Sequence, residues 1–127
     1  PLTAEQVAAL FDASGIRRPT DDLVRIRRML EGTNLTVSAW DGDRLVGVAR
    51  SLTDFSFCCY LSDLAVDREY QHQGIGKELV RITREAITLD AMLLLLAAPE
   101  AMDYYPKLGM QKLDNAYLFQ RGSGVDY

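Results

Sequence analysis

Along the chain, apolar positions recur first with the period of a helix, then with that of a strand, then with that of a helix again. Val7, Leu10 and Phe11 form a stripe that follows a capping-box pair, Thr3 and Gln6, and stops near Gly15. Leu23, Ile26 and Leu30 repeat the pattern in a second helix, predicted to open at Thr20 after Pro19 and to end at Gly32. From Leu35 the period becomes two. Leu35, Val37 and Ala39 alternate with Thr36, Ser38 and Trp40, and Asp41-Gly42 marks a hairpin turn. Leu45 to about Thr53 is the expected return strand. Cys58 to Val66 follows as a third strand, whose near-continuous apolar character predicts cover on both faces.

The second half continues the alternation of elements. Leu79, Ile82, Thr83, Ala86 and Ile87 predict a helix from Gly74 to about Leu89. Met92 to Ala97 is a short apolar run between Asp90 and Pro99, read as a buried strand. Glu100 to Leu108 is expected to form a short helix, interrupted near Pro106 and ended by Gly109. Met110 to Leu113 and Ala116 to Gln120 are predicted to pair as a hairpin over Asp114-Asn115, and Gly122 to Tyr127 to form a loose tail. The pattern has no internal repeat or linker. It predicts one mixed α+β domain over residues 1–127, centred on strand, glycine loop, helix and strand.

Composition narrows the partners. With 127 residues, 48% of them apolar, the chain can bury a core without disulfides or metal. A net charge of −4 disfavours nucleic acid and suits a cationic substrate. The longest apolar run, Ala91 to Pro99, is too short to span a membrane, and no signal peptide is visible, so a cytoplasmic protein is expected. The chain begins at Pro1. Cys58 and Cys59 are neighbours and point to opposite faces of a strand, so they are expected to be free core thiols in a reducing compartment. No Cys or His lies at metal-ligand spacing. Arg17, Arg18, Arg25, Arg27 and Arg28 cluster around the second helix; a solvated face is favoured over contact with an anionic ligand.

The candidate chemistry lies in Gln71-His72-Gln73-Gly74-Ile75-Gly76-Lys77, between a buried strand and an amphipathic helix. Glycines let backbone approach a ligand, and the first turn of a helix offers unpaired N–H groups with a partial positive charge. Together these form a cradle for a diphosphate, with Lys77 at the rim. A plain strand-to-helix connection is the alternative reading of the glycine pair alone. The loop is not a Walker motif: Glu78 follows Gly76-Lys77, and Gln71 stands where its first glycine belongs. It is not a dinucleotide fingerprint either, because Leu79 occupies the third small position.

Gln71, Gly74 and Gly76 form a Gln-x-x-Gly-x-Gly pattern that resembles the acetyl-CoA motif of the GNAT N-acetyltransferases. Leu64-Ala65-Val66-Asp67 before it, and Tyr105-Pro106-Lys107-Leu108-Gly109-Met110 after it, are similar to two further segments of that family, in the family's order and spacing. The resemblance runs from about Leu35 to Phe119 and more loosely through the first two helices. It implies a GNAT-type acyl-CoA N-acyltransferase fold, a central twisted mixed sheet flanked by helices and splayed open at its central strand. It also implies that backbone groups of Leu64, Ala65 and Val66 bind the pantetheine arm, that residues Gln71 to Lys77 hold the pyrophosphate, and that homodimers are common. The chain departs from the family in starting at the first helix rather than at a strand. It carries Ala98 where many members have Asn, and Met110 where an aromatic is usual.

The activity implied is transfer of an acetyl group from acetyl-CoA to a primary amine, with a small-molecule acceptor preferred over a peptide and no metal. Tyr105 is the candidate general acid by motif position; packing of its ring is the alternative. Tyr60 stands where some members place a catalytic glutamate, which leaves Asp63 as the nearest strand carboxylate. It is read either as a base or as a structural acceptor, the latter slightly preferred, with Asp54 and Asp103 as further options. His72 is the only histidine, and its place in the loop favours a phosphate- or solvent-facing role. Trp40 and Tyr60 are candidates to line an acceptor pocket, against the commoner role of sheet aromatics. A CoA-binding module without turnover and a nucleotide-binding domain are the rival classes.

Overall fold

The computed structural model describes residues 1–122; the end of the predicted loose tail, residues 123–127, lies outside them. The chain divides into two compact units, Pro1–Leu96 and Ala97–Tyr127.

The larger unit begins with helices α1 (Ala4–Ser14) and α2 (Leu23–Glu31). The Thr3 capping box is formed: its hydroxyl accepts from the Gln6 N–H, and the Gln6 side chain accepts from the Thr3 N–H. Gly15 closes α1 in the left-handed region at φ 86°, where glycine carries no Cβ penalty. The second helix opens later than Thr20, because Asp22 supplies the cap by accepting from the Arg25 N–H. Strands β1 (Leu35–Asp41), β2 (Arg44–Thr53), β3 (Cys58–Val66) and β4 (Met92–Leu94) form one sheet in that order. The first three are antiparallel. Helix α3 (Ile75–Ile87) carries the chain from β3 to β4, which therefore runs parallel to β3. Asp41 pairs with Arg44, so the hairpin turn is Gly42-Asp43, one residue beyond the expected dipeptide.

One face of the sheet carries α1 and α2. Val7, Leu10 and Phe11 of α1 and Ile26 of α2 pack with Leu45, Val48 and Ala65. Gly47 points to the opposite face, where a Cβ would stand 3.1 Å from Ile75 Cγ2 and 3.2 Å from Leu79 Cδ1 of α3. Both inner strands, β2 and β3, meet α1 and α3, but unbroken burial belongs to β2, from Leu45 to Ser51. On β3, Cys59, Leu61, Asp63 and Ala65 are buried and the intervening residues only half-buried. Cys58 is exposed, so only Cys59 is a core thiol.

The smaller unit has two 3-10 turns, Pro99–Ala101 and Tyr105–Leu108, where one interrupted helix was expected. Gly109, at φ 87°, closes the second and donates to the carbonyls of Pro106 and Tyr105. The predicted hairpin over Asp114-Asn115 is not formed: residues 110–120 have no strand, and Tyr117, Leu118 and Phe119 are exposed. Alternation names a strand face, but an isolated hairpin without a sheet or helix to cover it is marginal.

Candidate functional site

The site is organised by the way β3 stops being laddered. Its pairing with β4 ends at Tyr60–Leu94, yet β3 runs on to Val66. On the β2 side, Arg50 faces Asp63 while Ser51 faces Leu61, which leaves Ser62 as an extra residue, a bulge. Beyond the bulge the direction of the backbone groups follows from neighbouring bonds. The Asp67 N–H donates to Val46 O of β2 at 2.9 Å. N–H and C=O alternate in sense along a strand, so Leu64 and Val66 turn theirs to the other edge, where no strand among the described residues lies beside them. The Val66 carbonyl confirms the sense, since it accepts from Gln71 Nε2 at 2.9 Å.

The chain then turns through a 3-10 segment, Arg68–Tyr70, capped by Asp67, whose Oδ1 accepts from the Glu69 N–H at 2.9 Å and whose Oδ2 accepts from Arg44 at 2.8 Å. The first of these bonds, then Arg44, holds the Asp67 carboxyl below its usual range. Gln71 ties the loop to Val66 and reaches Ser14 O at 3.5 Å. His72 at φ 65° and Gly74 at φ 84° are both left-handed, which bends the loop into the start of α3. Gly74 is the cap residue of α3 and brings no side-chain hydrogen bond. A Cβ there would meet nothing within 4 Å, so the space over the helix start is open. The first N–H groups of α3 are therefore left to water or an anion, and the helix dipole favours negative charge there. A groove lined by Ser38, Ala39, Gly74, Ile75 and Ile82 lies on the β1 side of the same helix, away from the open edge of β3.

A half-laddered strand joined by a tied loop to an uncapped helix start can be compared with known proteins. The profile of the family described as "Acetyltransferase (GNAT) domain" matches residues 7–125. The chain belongs to the GNAT acetyltransferase domain family. Among curated relatives, the chloroplastic GCN5-related N-acetyltransferase 2 of Arabidopsis thaliana is 37% identical over 70 residues, which cover 54% of this chain and 27% of that protein. The match thus spans about a quarter of that relative's length. Among solved structures, a protein of unknown function from meticillin-resistant Staphylococcus aureus, described as a probable acetyltransferase, superposes with a TM-score of 0.79 at 24% identity, covering 99% of this chain and 94% of that one. An aminoglycoside acetyltransferase from an uncultured soil metagenomic sample gives 0.69 at 23%, covering 97% and 93%. Both likenesses concern the fold, which among the described residues is a mixed sheet with three α-helices.

Within the GNAT fold the remaining sequence candidates fall in different places. Asp63 is fully buried, and its two oxygens accept from Arg18 Nε and Arg50 Nε; the bulge breaks the alternation expected to set it opposite Ser62, whose hydroxyl reaches the same Arg50 guanidinium. Arg18 therefore leaves the solvated cluster assigned to it, whereas Arg25, Arg27 and Arg28 are exposed as expected. Tyr105 opens the second 3-10 turn, is half-buried, and meets the Tyr104 ring edge-on at 5.2 Å. Trp40 is exposed and donates from Nε1 to Ser38 Oγ at 2.9 Å. Asp54 lies in the β2–β3 turn, where N–H groups of Phe57, Cys58 and Ser56 hold its carboxyl down to about 2. Among the described residues no group of His, Cys, Asp or Glu could hold a metal ion, and no helix is long and apolar enough to cross a membrane. Sequence reasoning missed Arg50 and Ser62. A cation inside the apolar run Leu45–Leu52 was the available signal, because a buried charge demands a partner.

Proposed function

We propose that the chain acts as one acetyltransferase domain that binds acetyl-CoA and passes the acetyl group to a primary amine of a small molecule. The observation that carries this reading is the pairing of an open strand edge at Leu64 and Val66 with an uncapped helix start, joined through Gln71. An acyl carrier arm with amide groups can add to the first as a strand would. A diphosphate matches the second. The family match supports the one-domain reading, since it runs through both units.

In this proposal Leu64, Ala65 and Val66 hold the pantetheine arm. Gln71, His72, Gln73, Gly74, Ile75, Gly76 and Lys77 hold the diphosphate, mainly through backbone N–H groups. Acetyl-CoA supplies the activated acetyl thioester. The amine must reach the site neutral, and backbone N–H groups on β3 are assigned the charge that develops on the acyl oxygen. Tyr105 is assigned the proton held for the departing sulfur: a phenol with a reference pKa near 10 stays protonated at neutral pH. Asp63 is assigned a structural part, because both its oxygens are committed to guanidinium groups. A small acceptor is favoured by the acidic balance of the chain and by the soil neighbour, which is named for aminoglycosides.

The test is calorimetric titration with acetyl-CoA, CoA, ATP and NAD, followed by a panel of aminoglycosides, polyamines and a lysine peptide. Selective acetyl-CoA binding with turnover of small amines is expected. Binding without turnover would make the chain a CoA-binding module, peptide turnover would move the acceptor, and no binding of either CoA form would end the reading. Tyr105→Phe is expected to bind acetyl-CoA normally and to lose turnover about 10²-fold or more. Near-normal turnover would remove Tyr105 from the mechanism.

A further inference from the structure

The open edge of β3 is bounded at both ends by side chains. At one end the Val66 carbonyl is taken by Gln71. At the other, the carbonyl of the bulged Ser62 accepts from Arg18 Nη2 at 3.0 Å. Between them lie the Leu64 N–H and C=O and the Val66 N–H. The Ser62 end is gripped twice, since its hydroxyl lies 3.0 Å from Arg50 Nη2 as acceptor. The two guanidinium groups are locked to each other by Asp63, which accepts from the Nε of both and is itself fully buried. Arg50 is anchored further by Met29 O at 3.2 Å and Thr33 Oγ1 at 2.9 Å, at the C-terminal end of α2. Arg18 is anchored by Arg17 O at 2.7 Å, in the segment after α1.

This is more hydrogen bonding than one bulge needs for burial alone. A bulge leaves its strand with a local kink whose direction is otherwise soft. Pinning the extra residue through both its carbonyl and its hydroxyl fixes that direction. The amides two and four residues further on inherit it. We propose that Arg18, Arg50 and Asp63 form a positioning clamp on Ser62 that sets the orientation of the Leu64 and Val66 amides, and so the affinity of the open edge for the amide-bearing arm of the acyl carrier. The proposal rests on the acetyl-CoA reading above. The clamp residues touch no reacting atom. They act through the backbone of β3 and leave the glycine loop alone.

That division supplies the test. Acetyl-CoA engages both the strand edge and the loop, whereas ADP carries a diphosphate without a pantetheine arm. Arg18→Lys, which keeps a cation beside Asp63, and Ser62→Ala, which removes only the hydroxyl, are titrated with both ligands, and thermal melting confirms folding. Each variant is expected to raise the Kd for acetyl-CoA by roughly tenfold, the size of one or two lost hydrogen bonds, with the Kd for ADP unchanged. Ser62→Thr keeps the hydroxyl and is expected to restore acetyl-CoA affinity. Unchanged acetyl-CoA affinity in folded Arg18→Lys and Ser62→Ala would overturn the clamp while leaving the acetyl-CoA reading intact. Equal weakening of both ligands would also overturn it, as the mark of general loosening. Failure of the unaltered chain to bind acetyl-CoA would remove the reading on which the clamp depends.

Discussion

Gly47 faces the first turns of α3, and filling it tests how the helix start is held. A Cβ there would stand 3.1 Å from Ile75 Cγ2, 3.2 Å from Leu79 Cδ1 and 3.3 Å from Ala39 Cβ. Carbon contacts are comfortable at about 3.5–4.0 Å, so even Gly47→Ala requires these side chains to give by a few tenths of an ångström. Loss of glycine's freedom in the unfolded chain offsets that by about 0.4–1 kcal/mol, and Gly47→Ala is expected to be close to neutral. Gly47→Val adds two further methyl groups to a filled space. Overpacking of this kind costs about 1–3 kcal/mol, which leaves a net loss of about 1–2 kcal/mol. A chain of 127 residues unfolds with an entropy of about 0.27 kcal/mol/K, so the Tm should fall by about 4–8 °C. Because Ile75 is the first residue of α3, the same push is expected to disturb the glycine loop and weaken acetyl-CoA binding. The assay is thermal and urea unfolding of Gly47→Val alone and with Leu79→Ala, which removes one of the obstructing methyl groups and should shrink the penalty of the valine. A Gly47→Val protein that melts within 1 °C of the parent, or an equal penalty in both backgrounds, would refute the packing argument.

Three further outcomes follow from the same geometry. Asp63→Asn should lower stability by about 3 kcal/mol or more, because two guanidinium groups lose their buried carboxylate, yet keep the rising limb of the pH–rate profile; loss of that limb alone would return Asp63 to the role of base. Asp54 titrates near 2 in the folded chain, below the unfolded value near 3.9, so its stabilisation is complete above about pH 4 and is lost as pH falls through 2. Asp54→Ala should therefore melt with a shallower dependence on pH across that window, and parallel curves would contradict the assignment. Thr3→Ala should cost about 0.5–2 kcal/mol by opening the capping box, read as a lower midpoint in urea at an unchanged slope.

Much of this was written locally. Helix α1 was legible from its cap, its stripe and its terminal glycine, all of which act within one or two turns. Strand β1 was legible because its side-chain period is two, β2 as its return after the turn, β3 from its apolar run, and α3 because its stripe is continuous and glycine precedes it. The glycine loop could be located for the same reason: the residues that bend it and bare the helix start are contiguous, from Gln71 to Gly76. Asp63 was singled out as the nearest strand carboxylate, with base and structural acceptor both open; its burial between two guanidinium groups had no local sign.

Other features had no local signature. Which inner strand is buried without a break depended on packing, and that was β2. The bulge at Ser62 and the early end of the β3–β4 ladder arise from register between strands, which single-strand periodicity does not encode. Residues 110–120 carry the alternation of a hairpin and form no strand, because alternation states a preference that only a neighbouring edge and a covering layer can fulfil. Arg18 read as part of a solvated cluster and Arg50 was missed, until folding brought them, from 45 and 13 positions away along the chain, to one carboxylate. The sequence by itself determined what short-range sterics and periodicity control: the cap of α1, the three α-helices, the first three strands and the place of the glycine loop. Tertiary structure decided the open strand edge and the charges that hold it, because each depends on groups that meet only when distant segments pack and water is excluded between them.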